Sequence, residues 1–265
     1  MRSLLKADLF RVLKSKLTLI MLILCIVFPL LMALLYLGID KLNIATTGID
    51  INLFSAKTMV TSAFSLTNNV GLIIPIFSCI YVCLDISQGT LRNKIIVGKG
   101  RNSIYFSHLL TSIIFNLASI IIYFLFTLVF GMIFFGWGTE FNAEETKNLL
   151  YIIITGLMTF VYVGTVSTMF AMIIKSVAPA IILTVGLILG INIVMTVLNF
   201  INYEKVKYLV YMIPTFSNNY NSVLMALVPG VMPDEIFYLG IASNVLFGIL
   251  NTVIGLIIFN RSDIK

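Results

Sequence analysis

YLVYMIPTFSNNYNSVLMALVPGVMP, residues 208–233, carries no Asp, Glu, Lys or Arg and is long enough for a helix to cross a bilayer. Whether it crosses decides the fold. Pro214, Pro229 and Pro233 punctuate it, and Ser217–Ser222 reads SNNYNS. A proline inside a helix removes a backbone donor and clashes with the preceding turn. Six consecutive polar side chains would sit unsatisfied in hydrocarbon. The stretch therefore reads as two short amphipathic or re-entrant pieces at the outer surface, not as a span.

Working outward, six other charge-free runs remain: 17–39, 58–84, 102–139, 148–174, 176–203 and 236–260. Each exceeds the ~20 residues that cross about 30 Å of hydrocarbon. Charged residues are 11% of the chain and hydrophobic ones 60%, against roughly 25% charged in a soluble domain. Lipid tolerates only segments that satisfy their own backbone hydrogen bonds. The expectation is an all-α polytopic membrane protein forming one transmembrane domain over residues 1–265. Its spans fall at about 17–37, 62–84, 105–136, 149–174, 177–199 and 238–259, and an outer broken segment occupies 205–235.

Charge tests the count of six. With both termini inside, the inner pieces hold 12 basic residues (Arg2, Lys6, Arg11, Lys14, Lys16, Arg92, Lys94, Lys99, Arg101, Lys175, Arg261, Lys265) and three acids (Asp8, Asp85, Asp263). The outer pieces hold five basic and eight acidic residues. A seventh span would put Arg261 and Lys265 outside, against the positive-inside rule. The net charge of +6 is then a basic excess facing cytoplasm and anionic lipid, and no nucleic-acid partner is needed. The expected location is the cell membrane, multi-pass, with both termini cytoplasmic. The first span is too long for a signal-peptide core and lacks a small-residue cleavage site after it.

Two inner segments show more than charge. In residues 1–16, Leu5, Leu9, Val12 and Leu13 fall on one helical face, with Asp8, Arg11, Lys14 and Ser15 opposite. That pattern predicts an amphipathic helix lying on the inner leaflet, its apolar side toward membrane lipid. Residues 85–101, DISQGTLRNKIIVGKGR, carry Arg92, Lys94, Lys99 and Arg101 with one acid. Leu91, Ile95, Ile96 and Val97 interleave with Arg92, Asn93 and Lys94. This segment predicts a short amphipathic helix ended by Gly98 or Gly100.

This second segment resembles the cytoplasmic loop between the second and third spans of ABC exporter permeases, the type-2 bacterial family that moves drugs, bacteriocins and polysaccharides. The family pattern is an acidic residue, a Gly-Thr pair, a hydrophobic-basic helix and a closing basic residue. Asp85, Gly89 and Thr90, Arg92–Val97 and Arg101 occupy those places here; Asp85 stands where Glu is commoner. The resemblance covers the whole chain in plan and is specific in this loop. It implies a permease subunit, not itself an enzyme, that binds no cofactor. ATP and Mg would lie on a separate ABC ATPase subunit, and a second permease would complete a homo- or heterodimer. The loop 85–104 would be the coupling element, contacting the ATPase through Asp85, Gly89, Thr90, Leu91, Arg92, Asn93, Lys94 and Arg101. The apolar spans favour a hydrophobic or amphipathic substrate such as an antimicrobial peptide, a drug or a lipid.

Several chemistries are missing from the sequence. There is no P-loop pattern and no His-Glu-x-x-His. The sole histidine, His108, sits near the inner end of the third span and reads as an interfacial packing or hydrogen-bonding group. Cys25, Cys79 and Cys83 read as small packing residues. The spans contain neutral polar residues (Asn116, Ser119, Thr155, Thr159, Asn192, Asn244) and a Gly186-x-x-x-Gly190 pair, which suit helix contacts, a dimer seam or a translocation path. They carry no acid or base of the kind that ion-coupled carriers use. Glu140, Glu144 and Glu145 suit a helix N-terminus capped from Thr139. Two other readings remain: a non-transporting immunity or sensor protein that binds a peptide, and an intramembrane enzyme, for which the spans supply no paired catalytic groups.

Overall fold

A computed structural model of the chain describes residues 2–41, 55–67, 69–138, 142–214 and 234–262. Every regular element among them is a helix. In chain order these are α1 (Arg2–Lys14), α2 (Lys16–Lys41), α3 (Ala56–Ala63), α4 (Asn69–Ser87), α5 (Thr90–Ile96), α6 (Arg101–Phe135), α7 (Ala143–Ile174), α8 (Val177–Met212) and α9 (Asp234–Arg261). Six stretches among the described residues are long and apolar enough to cross a membrane: Lys16–Ile39, Val70–Ser87, Arg101–Phe135, Ala143–Ile174, Val177–Val194 and Phe237–Arg261. The protein is an all-α polytopic membrane protein.

Contacts sort the helix ends into two sets. Lys57 on α3 pairs with Glu145 on α7 at 2.6 Å, and Lys147 on α7 pairs with Asp234 on α9 at 2.8 Å. The starts of α3, α7 and α9 therefore share one end of the bundle. At the other end Arg101, opening α6, donates to the Asn260 and Ser262 carbonyls closing α9, at 2.8 and 2.9 Å. α1 and α5 lie there too. α4 is the central helix, packed on α6, α7 and α8, while α9 packs along α7 and α2 along α6.

Two cores follow. Mid-bundle, Phe64, Ile74, Ile120, Phe160, Val163 and Ile188 interlock. Nearer the α5 end, Leu4, Val82, Leu91, Ile104, Tyr105, Met172 and Phe259 form a second cluster. Elsewhere large aliphatic side chains on α2, α8 and α9 point outward, as expected where lipid rather than water is the solvent. Cys25, Cys79 and Cys83 are unpaired and fully buried, in keeping with packing roles.

The second span departs from its sequence reading of 62–84. It is split: α3 begins with a capping box at Ser55 and Thr58, ends at Ala63, and α4 starts at Asn69. A Cβ on Gly71 would run into the Ser65 carbonyl and Leu66, so glycine is what lets the two pieces meet. α8 also runs on through Met212, past the expected span end near 199. Of the outer segment 205–235, residues 215–233 lie outside the described residues, as do Thr139 and Glu140. α7 takes its N-cap at Asn142, with Glu144 and Glu145 in its first turn.

Candidate functional site: a buried ion cluster beneath a presented helix

α4 reaches the α5 end with Asp85 in its last turn. Gly89 follows with φ +70°, α5 occupies Thr90–Ile96, and Gly98 turns the chain out with φ +83°. Both glycines adopt a backbone region that L side chains disfavour, so the chain can reverse tightly at each end of α5. The expected helix termination at Gly98 is what the backbone shows.

α5 has two faces. Leu91 is buried in the second core, and Lys94 points the same way. Arg92, Asn93, Ile96, Val97 and Lys99 point out, with Ile96 72% and Val97 75% exposed. The eight residues expected to face an ATPase are thus divided. Arg92 and Asn93 are presented; Asp85, Thr90, Leu91 and Lys94 turn inward; Gly89 is the hinge; and Arg101 caps α9 instead.

Beneath α5 lies a cluster the sequence did not announce. Asp85 and His108 are fully buried and Asp8 is 2% exposed. Lys94 Nζ lies 2.7 Å from Asp8 Oδ1, 2.9 Å from Asp85 Oδ2 and 3.3 Å from His108 Nε2. Arg11 pairs with Asp85, donates to Tyr81 Oη at 3.1 Å and lies with its guanidinium carbon 5.3 Å from that ring centroid. Tyr81 donates onward to the Asp8 carbonyl at 3.1 Å, and Ser107 donates to Asp8 Oδ2 at 2.6 Å. Thr90 donates to both the carbonyl and a carboxylate oxygen of Asp85. His108 Nε2 is 3.0 Å from Asp85 Oδ2. Two carboxylates face two cations, so the cluster is formally neutral with the imidazole uncharged. Burial alone would leave such charges very costly; they persist because each is paired and hydrogen-bonded.

The electrostatics agree with that balance. Burial pushes the Asp8 carboxyl up, but the positive charge His108 carries when protonated, the Lys94 ammonium and the Ser107 hydrogen bond together outweigh it and hold it below its ordinary value. Burial pulls the Lys94 ammonium down; Asp8 resists that pull and Arg11 adds to it, and the net shift is downward.

Asp8, Asp85 and His108 also have the spacing of a metal set, their ligand atoms all within 4.8 Å of one another. The Lys94 ammonium nitrogen already lies among those atoms and takes the place a metal ion would need. In this arrangement the three residues are the acidic and imidazole walls of an ion-pair core.

α1 is turned differently from its sequence reading. Its inward face is Leu4, Asp8 and Val12, at i, i+4 and i+8. Leu5 and Leu9 are half-buried, while Leu13 is 72% and Phe10 59% exposed. Asp8 and Arg11, expected on the water face, turn inward because Lys94 and Asp85 offer partners there. Only Val12 of the four expected apolar contacts is fully packed inside the protein; Leu13 is left to lipid. Tyr81 of α4 also belongs to the cluster. The available signal was the scarcity of acid: Asp8 and Asp85 are two of just three acids among the expected inner segments.

The neutral polar residues of the spans mostly serve the fold. With its amide turned so that both ends are satisfied, Asn116 donates to Ser78 Oγ at 2.5 Å and to the Ser112 carbonyl, and accepts from the Gly164 N–H at 3.2 Å. It thereby joins α4, α6 and α7. Asn192 and Asn244 bond back to the carbonyls of Ile188 and Gly240, both at 2.7 Å. Gly186 and Gly190, by contrast, have no neighbour among the described residues within 4 Å of where a side chain's first carbon would sit.

The chain is 24% identical over 253 residues to a Bacillus subtilis (strain 168) protein called "Uncharacterized membrane protein YdbK", an overlap covering 94% of this chain and 97% of the other. A second likeness takes in α3 through α9, including Asp85, Lys94 and His108. The family described as "Protein of unknown function (DUF2705)" matches residues 48–265, and the chain belongs to it.

Proposed function

We propose that this protein is the membrane-spanning permease subunit of an ATP-driven ABC exporter, with α5 as the contact for a separate ATPase subunit. The observation that carries this reading is the build of α5. A seven-residue helix stands at one end of the bundle, anchored inward by Leu91 and Lys94. Its outward face mixes apolar Ile96 and Val97 with Arg92, Asn93 and Lys99. Exposed isoleucine and valine flanked by charge suit a protein groove better than water. The basic bias of the α5 end supports placing it, and both termini, in the cytoplasm of a cell membrane. The resemblance of residues 85–101 to exporter coupling loops supplies the ATPase as partner, ATP and Mg as that partner's ligands, and a second permease as dimer mate. The apolar outer faces of the spans favour a hydrophobic or amphipathic cargo.

The test is gentle solubilisation of the native complex and mass spectrometry of what co-purifies. The expected result is a near-stoichiometric P-loop ATPase, retained by Lys57→Ala at the far end and lost on Ile96→Asp or Arg92→Ala. Lys94 is the wrong residue to alter for this purpose, because it is tied into the ion cluster. A chain that purifies alone under several mild detergents, from cells that keep its phenotype, would overturn the permease reading in favour of a peptide-binding immunity or sensor protein.

A further inference from the structure

The ion cluster has a crossed arrangement. α1 contributes one acid and one base, Asp8 and Arg11. The α4–α5 corner contributes one acid and one base, Asp85 and Lys94. Arg11 of α1 pairs with Asp85, and Lys94 of α5 pairs with Asp8 of α1 at 2.7 Å. Lys94 also reaches Asp85 in its own corner at 2.9 Å, so it ties Asp8 to that corner while Arg11 ties the corner back to α1. Arg11 also approaches Thr90 Oγ1, the first residue of α5, at 3.4 Å. His108 and Ser107 of α6 close the cluster from behind.

We infer that this crossed pairing is a latch that makes α1 and α5 one mechanical body, with Lys94 as its release point. Moving α5 outward would withdraw Lys94 and leave Asp8 and Asp85 with Arg11 as their only cation in the cluster. The low-dielectric surroundings make that separation costly, so α1 follows α5. Ser15 alone separates α1 from the first span α2, and its hydroxyl and carbonyl bond to Thr18 and Leu19 across that break. A displacement of α5 therefore reaches α2 through α1, as well as passing through α4. Gly89 and Gly98 bracket α5 with left-handed backbone, which places the flexible points on either side of the latch. The inference deepens the proposed coupling role, yet the ion pairs that carry it are within the chain and need no ATPase.

The experiment uses the full chain in lipid nanodiscs, without partner. Spin labels on exposed Lys6→Cys in α1 and Val97→Cys beside α5 report the distance between the two elements; the three native cysteines are fully buried and stay unlabelled. The expected result is one narrow distance distribution for the otherwise wild-type chain and for Lys94→Arg, and an added, longer population for Lys94→Met. An unchanged distribution in Lys94→Met overturns the latch. Should Lys94→Met fail to accumulate, hydrogen exchange of the wild-type chain decides. Amides of residues 2–14 and 90–97 should open together, whereas α5 exchanging more than about tenfold faster than α1 would show independent bodies. Failure here leaves co-purification of an ATPase untouched, and the absence of an ATPase leaves the latch untouched.

Discussion

Asp85→Asn is the sharpest perturbation of the cluster. The change keeps shape and removes one charge from a side chain with no exposed surface. Asp85 faces Lys94 at 2.9 Å, Arg11, Thr90 and His108. Without it, Lys94 and Arg11 confront Asp8 alone, and one positive charge is left over in a buried place. Breaking a buried pair from one side costs about 3–5 kcal/mol. Arg11 is 35% exposed at its side chain and can turn part of its charge to water, which sets the expectation at the lower end, about 3 kcal/mol. For a chain of this size that is a fall in Tm of roughly 6–12 °C. A thiol-reactive fluorogenic dye in detergent reads the transition directly, because Cys25, Cys79 and Cys83 are all fully buried and react only once the bundle opens. Lys94→Met should cost a similar amount for the opposite reason, leaving a negative charge over. The double variant restores neutrality as an Asp8–Arg11 pair. Its loss should therefore be smaller than the sum of the two singles by about 1–3 kcal/mol. A melting point for Asp85→Asn within about 2 °C of wild type, or strictly additive singles, would refute the view that these groups act as one charge-balanced unit.

Asp8 predicts a pH signature. Its folded pKa lies below the ordinary value, so the stability it contributes is complete above about pH 4 and is lost as pH falls through the lower folded value. Tm should therefore decline in acid more steeply for wild type than for Asp8→Asn, which should be the less stable protein at neutral pH; parallel curves would contradict the shift. In the mid-bundle core, a Cβ on Gly156 would sit 2.5 Å from Phe64 Cδ1, and Phe64 is 1% exposed with its ring against Phe124. Gly156→Ala should cost about 1–3 kcal/mol by overpacking, measured by the same dye, and a neutral result would mean the α3–α4 corner yields freely. Gly186→Ile should leave the melting point of the monomer close to wild type, because Gly186 is exposed and no described residue lies within 4 Å of its Cβ position. If that face seats a second permease, the substitution should abolish the dimer seen by cross-linking in membranes; an undiminished dimer would place the seam elsewhere.

The broad fold was legible because lipid imposes a simple rule on composition. A stretch without charge that is long enough to cross a bilayer has few alternatives to a helix; the reading of 208–233 rests on its proline and amide content, and residues 215–233 lie outside the described residues. The split of the second span was harder to see. Ser55 and Thr58 form a capping box only in three dimensions, and Ser65–Thr67 is no more polar than many continuous spans. Its clearest cue, Gly71, gains meaning from the Ser65 carbonyl beside it. α1 was misread for a related reason. A periodicity argument assigns charged residues to water, and along 1–16 that puts Asp8 and Arg11 outside. They turn inward because their partners arrive 74 and 86 positions later, Asp85 on Arg11 and Lys94 on Asp8, and no local pattern contains that information. Lys94 shows the same limit from the other side. It sits in a basic helix and looks like its neighbour Arg92, yet one is held between two carboxylates and the other is presented.

That division of α5 bears on why charge is buried here at all. A packed hydrophobic joint of similar size would hold α1 against α5 at least as strongly, since burying ion pairs returns little net stability. What apolar packing lacks is direction. A leucine face tolerates rotation of α1 about its axis and sliding along it, because neighbouring apolar contacts replace those lost. The crossed pairs do not: α-helical residues are about 100° apart, so turning α1 by one residue takes Asp8 from Lys94 and Arg11 from Asp85 at once. An ion cluster with two acids and two bases on opposing segments therefore fixes a single register between α1 and α5. It also comes apart all together when that register is broken. A joint of that kind is poorly suited to adding strength and well suited to passing a discrete displacement from an exposed helix to the first span.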